Sequence, residues 1–240
     1  MGYLIHLKQL LAIVENGTDT FSLRLGLKSI GLSNMDLSIV IVNYKSWKAL
    51  AECLDSFGQY TPKLNYEIIV VDNDSQDGLL EPFSQKYPQV SFIKNSGNNG
   101  FAHGCNLGAD NAQGQYLLFL NPDTVLTNNT AIDELFNFAQ NNPDIGITSC
   151  RRINPKGRPE REMAFANPWL IISWIRAMYK LINKAKIQKK FPENEMIWNP
   201  DWIAGSVVLI EKELFNKIGK WDQDNFWMYY EDVDLCRKVK

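Results

Sequence analysis

Five short apolar runs recur through the middle of the chain, and between them the apolar spacing lengthens to that of helices. Leu37-Ser38-Ile39-Val40-Ile41-Val42 is the first. Its near-unbroken hydrophobicity predicts a strand buried on both faces. Glu67 to Val71, Val90 to Lys94, Gln115 to Leu120 and Ile145 to Ser149 repeat the pattern. After the first run, Ser46 stands where an N-cap would, and Trp47, Leu50, Leu54 and Phe57 share one helical face. Further helices are predicted near 79–87, 101–112 and 131–140. Strands alternating with helices imply an α/β fold, a mostly parallel central sheet with helices on both faces. Right-handed crossovers then bring the loops that follow the strands to one edge.

The flanks are less regular. Leu4, Leu7, Leu10, Leu11 and Val14 fall at helical spacing, with Asn16-Gly17 as the stop signal. Residues 1–34 are expected to be an N-terminal extension, either an overlong start or a helix packed on the domain or a partner, and 35–240 the domain proper. Beyond Cys150 the rhythm breaks. Residues 151–161 read as a charged loop and 168–190 as one or two helices. Asp201 to Ile210 reads as a strand entered through a bend of small residues. A short helix near 212–218 precedes the run Phe226-Trp227-Met228-Tyr229-Tyr230-Glu231-Asp232-Val233-Asp234.

Composition narrows the class. The 240 residues are 45% hydrophobic, enough for a core, and the net charge of -2 offers nothing to nucleic acid. Cys53, Cys105, Cys150 and Cys236 are too scattered for a disulfide frame or a zinc site and fit buried thiols in a reducing compartment. No run approaches the roughly 20 apolar residues that span a bilayer, and a secretory leader is not evident. A cytoplasmic location is expected. The stretch 169–190 places Trp169 and Trp174 ahead of six basic residues and no acidic ones from Arg176 onward. It suits peripheral contact with the inner face of a membrane, or a solvated helix that covers a cleft with its apolar face.

In open α/β sheets ligands bind beyond the carboxyl ends of strands. Three polar loops close strands there: Asn43-Tyr44, Asp72 to Gly78, and Asn121 to Thr124. Tyr44 offers a ring to a base, Asp72 an acceptor for a base N–H or a ribose hydroxyl, and Asp123 a hard oxygen ligand for Mg²⁺ or Mn²⁺. Each has a plainer reading: Asp72 as a turn residue, Asp123 as a helix cap, and Asn95 to Gly100 as a tight connection. A helix starting near Gly100, with Asn106 on it, could turn its N-terminus to phosphates. The terminal acidic run is either a general-base site or the acidic first turn of a helix. A Rossmann fingerprint, a P-loop and a nucleophile elbow are all missing.

The ordered set Ser38 to Tyr44, Ile69 to Asn73, Asn98 to Ala102, Asn106-Leu107-Gly108, Leu120 to Asp123, Trp202 to Ser206 and Tyr230 to Cys236 resembles the family 2 glycosyltransferases of the GT-A, nucleotide-diphospho-sugar transferase fold. The Asn-Pro-Asp form and the terminal acidic run are most similar to rhamnosyltransferases and related polysaccharide enzymes. The resemblance implies an inverting, metal-dependent transferase. It would move a sugar from a dTDP- or UDP-sugar to a hydroxyl of a glycan or lipid-linked acceptor in surface polysaccharide synthesis. By the same resemblance Asn43, Tyr44, Asp72 and Asn73 meet the nucleoside, and Asn99, Gly100 and Asn106 lie on the diphosphate side. Asp123 holds Mg²⁺ or Mn²⁺, Asp232 is the base, and Glu231 orients the acceptor. Asn121 stands where the family's metal motif has its first carboxylate. The family pattern also runs on past the acidic run, often to a histidine that completes the metal site, so a domain cut short at Lys240 is expected. Alternatives are a nucleotide-sugar-binding module without turnover and a sugar nucleotidyltransferase; the latter would want a glycine-rich basic loop after the first strand.

Overall fold

The computed structural model describes residues 3–4, 11–15, 35–150 and 197–240, with side chains over 35–150 and 199–240. The strands are β1 (Tyr3–Leu4), β2 (Leu11–Glu15), β3 (Leu37–Asn43), β4 (Tyr66–Asp72), β5 (Val90–Lys94), β6 (Tyr116–Leu120), β7 (Thr124–Val125), β8 (Ile145–Cys150), β9 (Ile197–Trp198) and β10 (Val207–Glu211). The helices are α1 (Trp47–Gln59), α2 (Leu80–Lys86), α3 (Phe101–Asn111), α4 (Ala131–Asn141), α5 (Lys212–Lys217) and α6 (Glu231–Val239).

The main sheet runs β5-β4-β3-β6-β10-β8-β2-β9. β3 lies at its centre, parallel to β4 and β6, and all seven of its residues are buried. Because side chains alternate across a strand, β3 feeds two cores. Leu37, Ile39 and Ile41 pack with Leu50, Phe57, Leu135 and Phe136 of α1 and α4. Val40 and Val42 pack with Ala102, Cys105, Phe215 and Leu235 of α3, α5 and α6. Burying each such aliphatic chain is worth about 1.5–3 kcal/mol. Ser38 interrupts the apolar run at no cost in polarity, because its hydroxyl donates to Glu67 at 2.6 Å and accepts from the Gly114 N–H at 2.7 Å. On α3, Gly104 and Gly108 let the helix axis approach the sheet. A Cβ there would meet Val42 at 2.7 Å and Val40 at 2.4 Å.

The predicted strands and helices between Leu37 and Cys150 appear within a few residues of their expected ends. Three differences are informative. Where a helix is expected over Leu4 to Val14, the described residues at its two ends are strands: β1 pairs with β7, and β2 pairs antiparallel with β8. Ile13 and Val14 are β-branched, and the open edge of β8 offers backbone partners that outweigh a short helical pattern. The expected strand from Asp201 begins only at Val207, and it runs antiparallel between β6 and β8. Ser46 occupies the N-cap position without capping; its hydroxyl donates to the Tyr44 carbonyl. The loop expected at 151–161 and the helices expected at 168–190 lie outside the described residues. Among the described residues no helix is long and apolar enough to cross a membrane.

Candidate functional site

β3, β4 and β6 are parallel and in register, so Asn43, Asp72 and the Asn121–Asp123 turn leave the sheet on one edge. At Asn43 and Asp72 the edge is tightly braced. The Asn73 N–H donates to the Asn43 carbonyl at 2.8 Å, and the Asn43 amide reaches Asp72 at 3.4 Å. Asp72 is buried, and its carboxylate accepts from the Ser75 hydroxyl at 2.5 Å and the Ser75 N–H at 3.2 Å. Ser75 in turn accepts from the Lys45 N–H. Asp72 thus does the work of the turn reading, locking the 72–78 loop onto β3. Tyr44 stands 44% exposed, with the Lys45 ammonium 5.3 Å from its ring centroid. That ring is open to a planar ligand.

The asparagines of the neighbouring loop form a second brace. The Asn73 amide donates to the Asn98 side chain at 2.9 Å and to the Gly100 carbonyl at 3.1 Å. The Asn95 amide donates to Asn73 at 2.7 Å and lies 3.1 Å from His103 Nδ1. Asn99 is exposed, whereas Gly100 is buried. Phe101, the first residue of α3, donates its N–H to the Trp227 carbonyl at 3.1 Å. The leading amide of this helix therefore serves the 222–230 segment. Asn106 is likewise engaged: its amide donates to the Trp221 carbonyl and to Gln223, and its oxygen accepts from the Trp221 N–H. Asn106 pins the turn that carries Trp221, whose ring meets Phe119 edge-on at 5.3 Å.

The two acidic segments are both tied to a joint formed by Gly205 and Ser206. The Gly205 N–H donates to Asp232 at 3.1 Å, and the Ser206 carbonyl accepts from the Asn121 N–H at 3.0 Å. The Asn121 carbonyl closes the turn around Asp123 by accepting from the Thr124 N–H at 3.1 Å. Two adjacent residues thus bond to one acidic segment and to the turn that carries the other. Asp123 and Asp232, far apart in sequence, lie on neighbouring pieces of backbone. Asp123 is half-buried, and no described residue donates a hydrogen bond to its carboxylate. Its charge reaches inward to Cys53, whose thiol is pushed up to about 12 by burial first and by Asp123 second.

Glu231 opens α6 and is buried, with one carboxylate oxygen lacking any partner. Burial, and then the neighbouring Asp232 charge, raise its carboxyl above the usual range, against the pull of its own backbone N–H. Glu231 in turn adds to the burial that holds the Cys105 thiol up. The helix reading of the acidic run holds here, since Glu231, Asp232 and Asp234 occupy the first turn of a helix. Three contributors escaped sequence reasoning: Asn95, Ser75 and the Trp227 carbonyl. Only Ser75 left a signal, its hydroxyl three residues after an aspartate at a strand end.

A divalent cation is tested by this donor set. Among the described residues no three His, Cys, Asp or Glu side chains gather as a metal cluster. One unpaired carboxylate at a strand end does fit Mg²⁺ or Mn²⁺, which take few protein ligands and fill the rest with water and phosphate oxygens.

The sequence model described as glycosyl transferase family 2 matches residues 38–210. A low-salt glycan biosynthesis hexosyltransferase of Haloferax volcanii is 29% identical over 210 residues, covering 85% of this chain and 62% of that protein. A rhamnosyltransferase of Escherichia coli is 27% identical over 182 residues, covering 73% of this chain and 66% of its own. The chain therefore spans less than two thirds of the first relatives it matches. Among solved structures, a mannosyltransferase from Pyrobaculum calidifontis in complex with GDP-Man and Mn²⁺ superposes with a TM-score of 0.56 at 16% identity, over 87% of this chain and 52% of that one. Staphylococcus aureus TarS residues 1–349 also give 0.56, at 19% identity over 85% and 55%. These two likenesses place the chain in the GT-A-like fold. A sheet edge built from β3, β4 and β6, with its acidic turns joined at Gly205-Ser206, lies within or beside the matched span, and the chain belongs to glycosyl transferase family 2.

Proposed function

We propose that this chain carries the catalytic domain, residues 35–240, of an inverting glycosyltransferase. It would transfer a hexose or 6-deoxyhexose, such as rhamnose, from a dTDP- or UDP-sugar to a hydroxyl of a glycan or lipid-linked acceptor in surface polysaccharide synthesis. The observation that carries the reading is the Gly205-Ser206 joint, which brings Asp232 next to the Asn121–Asp123 turn. One displacement needs a base on the acceptor side of the sugar and an anion-tolerant site under the departing diphosphate.

In this reading Tyr44 takes the face of the base, with Asn43, Asp72 and Asn73 shaping the wall behind it. Asn99 stands free beside the diphosphate. Gly100 and Asn106 act by holding Trp227 and Trp221 in place. Asp123 would hold Mg²⁺ or Mn²⁺, and a bound cation would offset the charge of the leaving nucleoside diphosphate. The acceptor oxygen attacks the anomeric carbon while the bond from that carbon to the diphosphate oxygen breaks. Asp232 accepts the proton of the acceptor hydroxyl. Glu231, buried beside Asp232, is held toward its neutral form. The stretch 169–190, with Trp169 and Trp174 ahead of six basic residues, favours a site near the inner face of a membrane.

Calorimetric titration of dTDP and UDP, with Mn²⁺ or with chelator, tests the donor half. Transfer from a panel of dTDP- and UDP-sugars to polysaccharide fragments tests the rest. Binding of neither nucleotide would overturn the reading. Nucleotide binding with no transfer from any donor would reduce the chain to a binding module.

A further inference from the structure

We propose that Tyr229 and Tyr230 form the platform on which the acceptor rests, and that the acceptor's reacting unit is an uncharged pyranose that presents a C–H face to those rings. The inference rests on the transferase reading and adds the acceptor subsite to it.

The run Trp227, Met228, Tyr229 and Tyr230 is 56%, 46%, 73% and 66% exposed. Elsewhere among the described residues the exposed large hydrophobics are only Tyr44 and Leu79. A contiguous exposed apolar run of this kind marks a binding surface more often than chance. The segment is fastened at both ends. At its start the Trp227 carbonyl accepts from Phe101, and the Trp227 indole N–H donates to the Asn98 carbonyl at 3.3 Å. At its end the Tyr230 carbonyl accepts from the Asp234 N–H and begins α6. Between these ties Tyr229 and Tyr230 have φ of 72° and 71°, left-handed values that L side chains adopt at a cost. Strain held in place by surrounding bonds at a reactive centre is a mark of function.

Position selects the occupant. Asp232 follows Tyr230 by two residues, and two residues of chain span at most about 7 Å. An acceptor hydroxyl within hydrogen-bond reach of Asp232 therefore brings its own ring alongside these tyrosines. Tyrosine pairs an apolar ring with a polar tip, matching a pyranose that has a C–H face and hydroxyl edges. Charge argues against an anionic membrane surface as the occupant, since Asp222 and Asp224 lie in the same turn and Glu231 and Asp232 follow it.

The test uses the chain with UDP or dTDP and Mn²⁺ present, and saturation-transfer NMR with methyl pyranosides of rhamnose, glucose, galactose and N-acetylglucosamine. At least one pyranoside should take up saturation on its ring C–H protons. Tyr229→Ala and Tyr230→Ala should each weaken that sugar by about fivefold, the worth of one aromatic contact. Tyr229→Phe should keep it, and calorimetric nucleotide affinity should stay unchanged in all three variants. The proposal fails where a nucleotide binds but no pyranoside does, or where the alanine variants hold the sugar as well as the parent. It fails equally if those variants instead abolish binding to phosphatidylglycerol vesicles, or abolish a dimer seen by sedimentation. If neither nucleotide binds, the transferase reading falls and this inference falls with it.

Discussion

Replacing Gly100 with alanine tests how the two halves of the site are held together. Gly100 has φ +92° and ψ 173°, a region essentially closed to residues with a side chain. A Cβ there would lie 2.1 Å from the Trp227 carbonyl oxygen and 2.9 Å from its carbon. Both obstacles are backbone, so no side chain can rotate away. Forcing a non-glycine residue into this conformation costs about 1–3 kcal/mol. Driving Trp227 outward also breaks the Phe101 N–H bond to its carbonyl and the indole bond to Asn98, at about 1 kcal/mol each. The expected loss is roughly 3–5 kcal/mol, read by urea unfolding followed by far-UV circular dichroism. Gly97→Ala is the control, because its Cβ would meet only the Asn99 side chain at 3.6 Å; it should shift stability by less than about 0.5 kcal/mol. A loss below about 1 kcal/mol at Gly100, or equal losses at both glycines, would refute the argument that this turn and the 222–230 segment are locked in contact.

Four further outcomes are expected. Asp123→Ala should remove the part of nucleotide affinity that depends on Mn²⁺; calorimetry giving the same affinity in Mn²⁺ and in chelator for the parent would exclude the metal assignment. Asp232→Asn should lower sugar transfer by at least about 100-fold while nucleotide binding holds, and a retained rate would move the base elsewhere. Asn106→Ala leaves the buried Trp221 N–H without its acceptor and should cost about 1–3 kcal/mol in urea unfolding; no change would deny it the pinning role. The Glu231 carboxyl is raised in the folded state, so the folded chain binds that proton more tightly than the unfolded one. Its contribution is fully present below the ordinary glutamate range and is lost as pH rises through the raised folded value. Glu231→Gln should therefore gain stability relative to the parent as pH rises through that window, and parallel pH profiles would contradict it.

The sheet was legible because its central strands are buried on both faces, which forces unbroken apolar runs such as Leu37 to Val42 that few other structures need. Position in the sheet was not legible at the flanks. β2 is written in residues that also fit a helical stripe, and only the free edge of β8 decides between them. β10 was visible as an apolar run, but its antiparallel direction is set by long-range pairing with both β6 and β8, which no local pattern records.

Within the candidate site, residues with exposed, unengaged groups were easier to read than those that brace the loops. Asp123 and Tyr44 end buried strands and carry unspent chemistry, a combination that packing alone does not demand. Asp72, Asn73 and Asn106 stand at equally suggestive places, yet their polar groups are consumed by Ser75, Gly100 and Trp221. A short-range pattern cannot distinguish the two cases, because the partner of Asn106 lies 115 residues away. The same long-range bonds explain why an asparagine-rich loop belongs here at all. An amide both donates and accepts, so Asn73, Asn95 and Asn106 can each tie two segments without adding charge to the edge. Carboxylates in those places would add charge beside the buried Asp72, and aliphatic side chains would leave buried N–H and C=O groups unpaired. The carboxylates that remain beside the joint are that of Asp232, held by the Gly205 N–H, and that of Asp123 in the turn that the Ser206 carbonyl ties.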